Sequence, residues 1–403
     1  MNQADKRVLV TVTGADTPGI TASLTRVIAD NGAALLDIEQ VVVQGQLILA
    51  LLLGVDSSPA HGEPVLKDLL FTAKKMGLDL QFTALEVGEP HGGGPGGMRY
   101  AVTAIGDTVD ARAIHVISSV LARHDANIET IRRLSDGHLA SVEVIIHLPA
   151  GEDAALALRR GLMEATTDLD VDLAVQRETL SRRTKRLVIM DMDSTLIQIE
   201  VIDELARMHG VVDQVSEITR RAMAGELDFE ASLRERVALL EGLEYERVLG
   251  LARDLPVTDG ARDMLRVLRT LGYKTGVISG GFTFAANMLK EQLGLDYAYA
   301  NQLEIEHGRL TGRVMGPIIT PQRKADLLDT IAQGEGITLA QTIAIGDGAN
   351  DLAMLERAGL GIAFHAKAKL KAAADTAVSR GGLDRILYLL GLHARDVKQL
   401  LER

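Results

Sequence analysis

The chain has 403 residues, no cysteine, no tryptophan and a formal net charge of −12 at pH 7. Its length predicts two or three domains, and its 47% of hydrophobic residues is enough to fill their cores. The acidic balance and the 3% of aromatic residues argue against a nucleic-acid-binding protein, and the lack of cysteine excludes disulfides and thiolate metal sites.

The beginning of the chain and its most apolar run bear on location. The first residues, MNQADKRVLV, lack the charged-then-apolar pattern of a secretory signal. The most apolar run, LILALLLGV at Leu47–Val55, is far too short to span a bilayer. We therefore expect a cytoplasmic protein that binds neither a membrane nor nucleic acid.

Two polar stretches divide the chain. Gly88–Tyr100, GEPHGGGPGGMRY, cannot bury apolar surface and is typical of a flexible linker. Arg177–Arg186, RETLSRRTKR, is a polar and basic second junction. The predicted domains are residues 1–88, 98–177 and 185–403.

The first two segments repeat one plan. Each begins with an apolar strand, a loop, an amphipathic helix and another strand, and each continues with a further helix and further strands. Three apolar helix positions recur at an offset of about 93 residues: Leu24, Val27 and Ile28 match Ile117, Val120 and Leu121. The pattern predicts two βαββαβ domains of the ferredoxin-like kind.

The loop before the first of these helices reads DTPGI and resembles the ACT family, small domains that bind amino acids. The resemblance implies an effector site formed by Asp16, Pro18, Gly19 and Ile20. The alternative interpretation is a helix-start device, with proline near the first turn. The second segment reads GDTVDARAI at this place and lacks the Pro-Gly pair, which leaves either a domain that has lost ligand binding or one that serves assembly only.

These domains also bear on assembly and regulation. Ferredoxin-like domains have open sheet edges, and pairing the edges between chains is one way to protect them. We therefore expect a homodimer or a larger homo-oligomer formed through the N-terminal domains. Serine, an amino acid of the type that such domains bind, is the candidate effector.

The third segment alternates strands with helices. YKTGVIS, YAYA and QTIAIG are typical of buried strands, and TDGARDMLRVLRTLG, GFTFAANMLKEQLG and ANDLAMLERAG are typical of helices. Such alternation predicts an α/β domain with a doubly wound parallel sheet. Ligands of such sheets bind beyond the carboxyl ends of the strands.

Polar residues follow these strands. Four acids without sulfur or paired histidines suit Mg²⁺, and a lysine with helix-start amides suits a phosphate. A metal and a carboxylate beside a phosphate indicate phosphoryl transfer. The residues are Asp191, Asp193, Ser194 and Thr195 of DMDST; Ser279, Gly280 and Gly281 of VISGGF; Lys324; and Asp347, Asn350 and Asp351 of GDGANDLAM.

The order of these four motifs resembles the haloacid dehalogenase superfamily in its phosphatase branch. DMDST, QIEVIDELA, ISGGF and IGDGANDLAML resemble its phosphoserine phosphatases, with serine where many relatives carry glycine. The resemblance implies Mg²⁺-dependent hydrolysis of O-phospho-L-serine to L-serine and phosphate through an aspartyl-phosphate, the last step of serine biosynthesis. The alternatives are a related phosphatase or phosphotransferase for another small phosphorylated metabolite, and a non-enzymatic amino-acid sensor.

The resemblance also implies roles for single residues. Asp191 is the nucleophile, and Asp193 donates a proton to the leaving oxygen and then takes one from water. The side chains of Asp191 and Asp347 and the carbonyl of Asp193 hold the metal. Other residues bind the phosphate or support the site: Lys324, Ser279 and Gly280 neutralise the phosphate, Asn350 holds phosphate or water, and Asp351 orients Lys324 or a metal-bound water, unless it is an ordinary acid of a first helical turn.

The stretch at about 200–255 is helical in pattern and is expected to close over the site as a lid. By resemblance, Glu200 receives the ammonium group of the substrate and Arg236 binds its carboxylate. Met223 and Phe229 then form apolar walls. The alternative for Arg236 is a solvated helix charge.

Overall fold

The computed structural model describes residues 6–55, 59–85, 97–136, 140–149, 152–366, 370–371, 374 and 376–402. By its internal contacts the chain separates into two units, Met1–His91 and Gly92–Arg403. The second repeat therefore shares a unit with the third segment. Most of the predicted Gly-rich linker lies outside the described residues.

The first unit is an antiparallel sheet in the order β2-β3-β1-β4. Apolar residues of α1 and α2 pack on alternate residues of β1 and β3, as the period-two pattern of a half-covered strand requires. The ferredoxin-like plan is confirmed. Its elements are β1 (Lys6–Ala15), α1 (Ile20–Asp30), β2 (Ala34–Val43), β3 (Gln46–Val55), α2 (Pro59–Lys75) and β4 (Asp79–Leu85).

The second repeat has the same topology, with neighbouring strands in the order β8-β5-β7-β6. Its first helix begins differently, because the Asp110 side chain accepts a hydrogen bond of 2.8 Å from the Ala113 amide. This N-cap replaces the Pro-Gly pair of the first repeat. The elements are β5 (Met98–Gly106), α3 (Ala111–Arg123), β6 (Asn127–Arg133), β7 (Ser141–Leu148), α4 (Glu152–Ala165) and β8 (Val171–Arg177).

The third segment contains the predicted doubly wound sheet. Its strand order is β12-β11-β10-β9-β13-β14-β15, and every neighbouring pair is parallel except β11 with β12. The chain starts at the central strand β9 and winds outward in both directions. The strands are β9 (Leu187–Met190), β10 (Lys274–Phe282), β11 (Tyr297–Glu306), β12 (Arg309–Met315), β13 (Thr342–Gly346), β14 (Gly361–Phe364) and β15 (Thr376–Val378).

The helices of this segment cover the sheet, and four of those described lie between Val201 and Arg253, where the lid is expected. No described helix is long and apolar enough to cross a membrane. The helices are α5 (Leu180–Arg183), α6 (Val201–His209), α7 (Val212–Met223), α8 (Phe229–Ala238), α9 (Tyr245–Arg253), α10 (Ala261–Thr270), α11 (Thr283–Leu293), α12 (Pro321–Gly334), α13 (Leu352–Arg357), α14 (Ile386–Leu389) and α15 (Ala394–Leu401).

The junction between the second repeat and the third segment differs from a loose linker. β8 pairs antiparallel with β15, which joins eleven described strands in one sheet. Arg182 and Lys185 of the basic stretch are buried. Arg182 forms ion pairs with Glu143 and Glu178, and these carboxylates compensate the cost of burying its guanidinium.

Candidate active site

Asp191 stands at the carboxyl end of β9, between β10 and β13. Met190 is in register with Val277 on one side and Ile345 on the other, and the Asp191 amide donates to the Ile345 carbonyl at 2.8 Å. The chain reverses its winding at this strand, so the ends of its neighbours leave a crevice. Ser279 lies near the carboxyl end of β10 and Asp347 follows β13, and the sheet therefore brings the predicted motifs together.

The turn after Asp191 places the second acid. Ser194 has a φ of 55°, the left-handed conformation that favours glycine, and its hydroxyl donates to Glu200 Oε1 at 2.7 Å. The reversal brings Asp193 Oδ1 within 3.1 Å of the Val201 amide, which donates to it. Burial raises the pKa of Asp193 well above its usual range, and Glu200 and Asp191 raise it further.

Lys324 is buried among the acids. Thr320 caps α12 by accepting from the Arg323 amide at 3.2 Å, and Pro321 occupies the first turn, so Lys324 points from a fixed helix start. Its Nζ lies 2.8 Å from Asp191 Oδ2 and 2.7 Å from Asp351 Oδ1. Burial alone would lower the pKa of Lys324, but the two carboxylates outweigh it and raise the pKa.

Carboxylate oxygens of Asp191, Asp347 and Asp351 lie within 4.8 Å of one another. The Thr195 hydroxyl donates to Asp347 Oδ1 at 2.9 Å and orients that side chain. Burial and the charge of Asp191 raise the pKa of Asp347 to about 6. The single positive charge of Lys324 does not neutralise the negative charge of these carboxylates. Hard oxygen donors are the ligands that small divalent cations prefer. The donor set therefore fits a divalent metal.

Asp351 has no exposed surface and accepts hydrogen bonds from Lys324 and from the Gly348 amide, the latter at 3.1 Å. A Cβ at Gly346 would lie 2.4 Å from the Asp351 Cγ, so only glycine admits this approach. The contact with Lys324 distinguishes Asp351 from a solvated helix-start acid. Asn350 donates to Asp191 Oδ2 at 3.3 Å and thus faces the same carboxylate.

The irregular carboxyl end of β10, residues 279–282, which we call the glycine loop, approaches the acids from the other side. The Ser279 side chain is buried, and its Oγ accepts from the Gly281 amide at 2.9 Å. A Cβ at Gly281 would lie 2.5 Å from Asp193 Oδ2, and one at Gly280 would lie 2.7 Å from Phe229 Cζ. The two glycines therefore let the backbone contact both the acid and the phenyl ring of the lid.

Asn301 is a supporting residue that the motifs did not reveal. Its side chain is buried, donates to the Gly280 carbonyl at 2.7 Å and accepts from the Ile319 amide at 2.8 Å. It therefore fixes the glycine loop to the segment that enters the Lys324 helix. The only hint in the sequence is an amide side chain in an otherwise apolar strand start, YAYANQL.

The other lid residues occupy different environments. Arg236 is half-buried, and its Nε donates to the Ser232 carbonyl at 3.3 Å. Burial lowers the pKa of Arg236, while Asp203, Glu200 and Asp193 act in the opposite direction. Arg236 and Glu200 form no ion pair with each other in the described structure. Met223, an expected apolar wall, is 73% exposed at the end of α7 and forms no wall in this conformation.

The predicted effector residues lie in the first unit. Gly19 precedes α1 with a φ of 95°, and its carbonyl accepts from the Ser23 amide at 2.9 Å. Asp16 and Pro18 are exposed, whereas Ile20 is buried in the core of this unit. The loop thus starts a helix and also presents polar groups to solvent.

Comparisons with known proteins agree with this organisation. A family model described as a haloacid dehalogenase-like hydrolase matches residues 185–359. Models described as ACT domains match residues 6–83 and 99–176. The predictions of two ACT domains and of an α/β hydrolase domain are confirmed.

Individual relatives match nearly the whole chain. The phosphoserine phosphatase of Streptomyces coelicolor is 44% identical over 97% of this chain and 93% of its own length. Phosphoserine phosphatase SerB2 of Mycobacterium tuberculosis is 40% identical over 97% of this chain and 94% of its own. The solved structure of a probable phosphoserine phosphatase from Vibrio cholerae, unliganded, is 36% identical, covers 75% of this chain and 88% of that one, and has a TM-score of 0.57. The chain therefore belongs to the haloacid dehalogenase-like hydrolases and, within them, to the phosphoserine phosphatases.

Proposed function

We propose that the chain hydrolyses O-phospho-L-serine to L-serine and phosphate, with Mg²⁺ as cofactor and an aspartyl-phosphate as intermediate. One observation carries this proposal. The buried carboxylate of Asp191 lies at the carboxyl end of the central strand and contacts Lys324 and Asn350. The second acid, Asp193, lies close to Gly281 of the glycine loop. This is the arrangement that in-line attack on a phosphate monoester needs.

In the first half-step the Asp191 carboxylate attacks phosphorus, and the bond from phosphorus to the serine oxygen breaks. Asp193 gives its proton to that oxygen, a role that its raised pKa supports. In the second half-step Asp193 takes a proton from water, the water oxygen bonds to phosphorus, and the Asp191 carboxylate is released. Asp191 is thus first the nucleophile and then the leaving group, and Asp193 is first the acid and then the base.

The remaining groups stabilise charge. Lys324, Ser279 and the Gly280 amide would stabilise the negative charge of the phosphoryl oxygens. Asp191, Asp347 and the carbonyl of Asp193 would hold Mg²⁺, which supplies positive charge next to the phosphoryl group when bound. Asp351 holds Lys324 in place, and Asn350 and Thr195 orient Asp191 and Asp347.

Phosphate release from phosphoserine tests the proposal. We expect turnover with Mg²⁺, loss of activity in excess chelator, and poor activity with Ca²⁺. Ca²⁺ accepts more ligands at longer distances, so it can engage both oxygens of Asp191 and prevent the attack. Full activity in excess chelator would remove the metal from the proposal, and no release from phosphoserine under any condition would contradict the substrate.

The lid supports an amino-acid phosphate as substrate. Glu200 is an acceptor for an ammonium group, and the half-buried Arg236 provides a fork for a carboxylate. Phe229 supplies an apolar wall at Gly280. A sugar phosphate would offer neither charge to these two side chains.

Arg236→Ala is expected to lower kcat/KM for phosphoserine by about thirtyfold or more, because loss of a desolvated charge partner costs about 2–5 kcal/mol. Use of an aryl phosphate, which has no carboxylate, should change far less. Arg234→Ala is the matched control, since Arg234 lies on the same helix but is exposed and pairs with Glu230. Equal losses on both substrates would assign Arg236 to the phosphate or to the fold.

We also propose that the first ACT domain binds an amino-acid effector, serine being the candidate, and that the N-terminal domains assemble a homodimer or larger oligomer. The exposed groups of the DTPGI loop support a ligand site. β2 supports assembly, because all ten of its residues are exposed and it forms one edge of its sheet.

Gly19→Leu is expected to weaken serine binding by the full chain, measured by calorimetry in an Arg236→Ala background that suppresses binding of serine at the active site. A leucine is strained at a φ of 95° and would distort the loop. Gly32→Leu is the control, because Gly32 follows the end of the same helix at a φ of 66° and a Cβ there would also meet no atom within 4 Å. Equal weakening of serine binding by both substitutions would show a general loss of helix stability. If calorimetry detected no binding heat with any amino acid, this domain would be left with a role in assembly only.

A further inference from the structure

A second pocket lies at the junction of the second ACT domain and the hydrolase domain. Its volume is about 450 Å³. One wall is formed by α4 and the end of β8, and the other by Ala340, Gly359 and Leu360. The last three residues precede β13 and β14, whereas Asp347 follows β13. The pocket is therefore at the opposite end of the sheet from Asp191 and is separate from the proposed active site.

The charged side chains that line this junction pocket are all cationic. Among the described residues that line it, four are cationic and none is acidic. Arg182 and Lys185 are more than nine-tenths buried, Arg159 is half-buried, and Arg177 reaches it from the exposed end of β8. Cationic side chains that line one partly buried pocket attract an anion more strongly than they would in water, because the dielectric is reduced there.

Arg182 offers an unused donor. Its two terminal nitrogens pair with Glu143 and Glu178, neither of which lines the pocket. Its Nε is buried and has no hydrogen-bond partner in the described part of the chain. Leaving such a donor unpaired destabilises the folded protein, and an oxyanion in the pocket is a suitable acceptor.

We propose that the junction pocket binds a small oxyanion, the phosphate or carboxylate group of a metabolite. The volume exceeds that of a bare phosphate, so a small phosphorylated or carboxylated molecule fits. Arginine binds both groups through paired N–H donors. Because one wall belongs to the ACT domain and the other to the hydrolase domain, a bound anion contacts both and stabilises their junction.

Equilibrium dialysis of the full chain with radiolabelled inorganic phosphate tests the site. The wild type should bind phosphate at the junction in addition to the active site. The double variant Arg159→Gln with Arg177→Gln should lose the phosphate bound at the junction pocket. The affinity of that pocket for phosphate should fall by about tenfold or more for each charged contact removed. Arg160→Gln is the matched control, because Arg160 is the exposed neighbour of Arg159 on α4 and does not line the pocket.

Two further measurements make the outcome decisive. Circular dichroism and phosphoserine turnover report whether the double variant is folded, and Arg177→Gln alone, at an exposed position, replaces it if it is not. Malonate is then added as a competitor for the phosphate that is bound at the junction pocket. Displacement of this phosphate shows that the pocket also binds carboxylates, and no displacement restricts it to phosphates. The proposal is overturned if the wild type, the Arg160 control and the Arg177 variants all bind the same amount of phosphate with the same affinity.

Discussion

Asp191→Asn is expected to abolish phosphate release from phosphoserine, with a loss of at least about a thousandfold in kcat. An amide does not attack phosphorus, and no other described carboxylate ends the central strand in its place. The side chain keeps its shape and its contact with Asn350, and the β9 backbone keeps its bonds to β10 and β13. Phosphate release and a melting curve are measured on the same preparation. Substantial remaining activity would remove Asp191 from the role of nucleophile.

Asp193→Asn separates the two acids. With an aryl phosphate, whose leaving group needs no proton, the first half-step should still proceed in this variant, while the second lacks its base. Rapid mixing should then show a burst of phenolate that does not exceed the enzyme concentration. Asp191→Asn should show no burst. A burst in the Asp191 variant, or steady turnover in the Asp193 variant at the wild-type rate, would contradict the assigned roles.

Much of the site could be predicted because its parts are local in sequence. A strand of four apolar residues ending in an acid is visible without a structure, and a parallel sheet necessarily gathers such strand ends on one edge. The same holds for Lys324, which follows a Thr-Pro helix start. The internal repeat was equally visible, because the same spacing of buried residues serves the same packing in both domains.

Other features depend on contacts between distant residues. Asn301 acts by bridging Gly280 and Ile319, and nothing near it in the sequence indicates those partners. The junction at residues 177–186 has the composition of a linker, yet Arg182 is buried because Glu143 of β7 lies beneath it. The position of Met223 depends on how the lid packs, and local pattern does not determine that packing. Burial of a charge is thus decided by partners that the local pattern does not contain.

Lys324→Met is expected to lower the free energy of unfolding by about 3–5 kcal/mol in metal-free buffer and to abolish turnover. The substitution keeps the length of the side chain but leaves Asp191 and Asp351 buried without their cation. Burial and the charge of Asp191 already raise the pKa of Asp351, whose side chain has no contact with water to offset the loss of Lys324. Phosphoryl oxygens would lose a positive partner at the same time. Denaturant unfolding and phosphate release are the two measurements.

Lys274→Met is the matched control for this substitution. Lys274 also pairs with an aspartate at 2.8 Å, but the pair with Asp296 lies at the surface, where water screens both charges. Its removal should leave both the free energy of unfolding and turnover nearly unchanged. The two sites differ in burial and in the number of carboxylates, because Lys324 pairs with both Asp191 and Asp351 and Lys274 pairs with Asp296. If the two lysines contributed equally to stability, the buried carboxylates would not depend on Lys324, and its place in the proposed site would rest on phosphate binding alone.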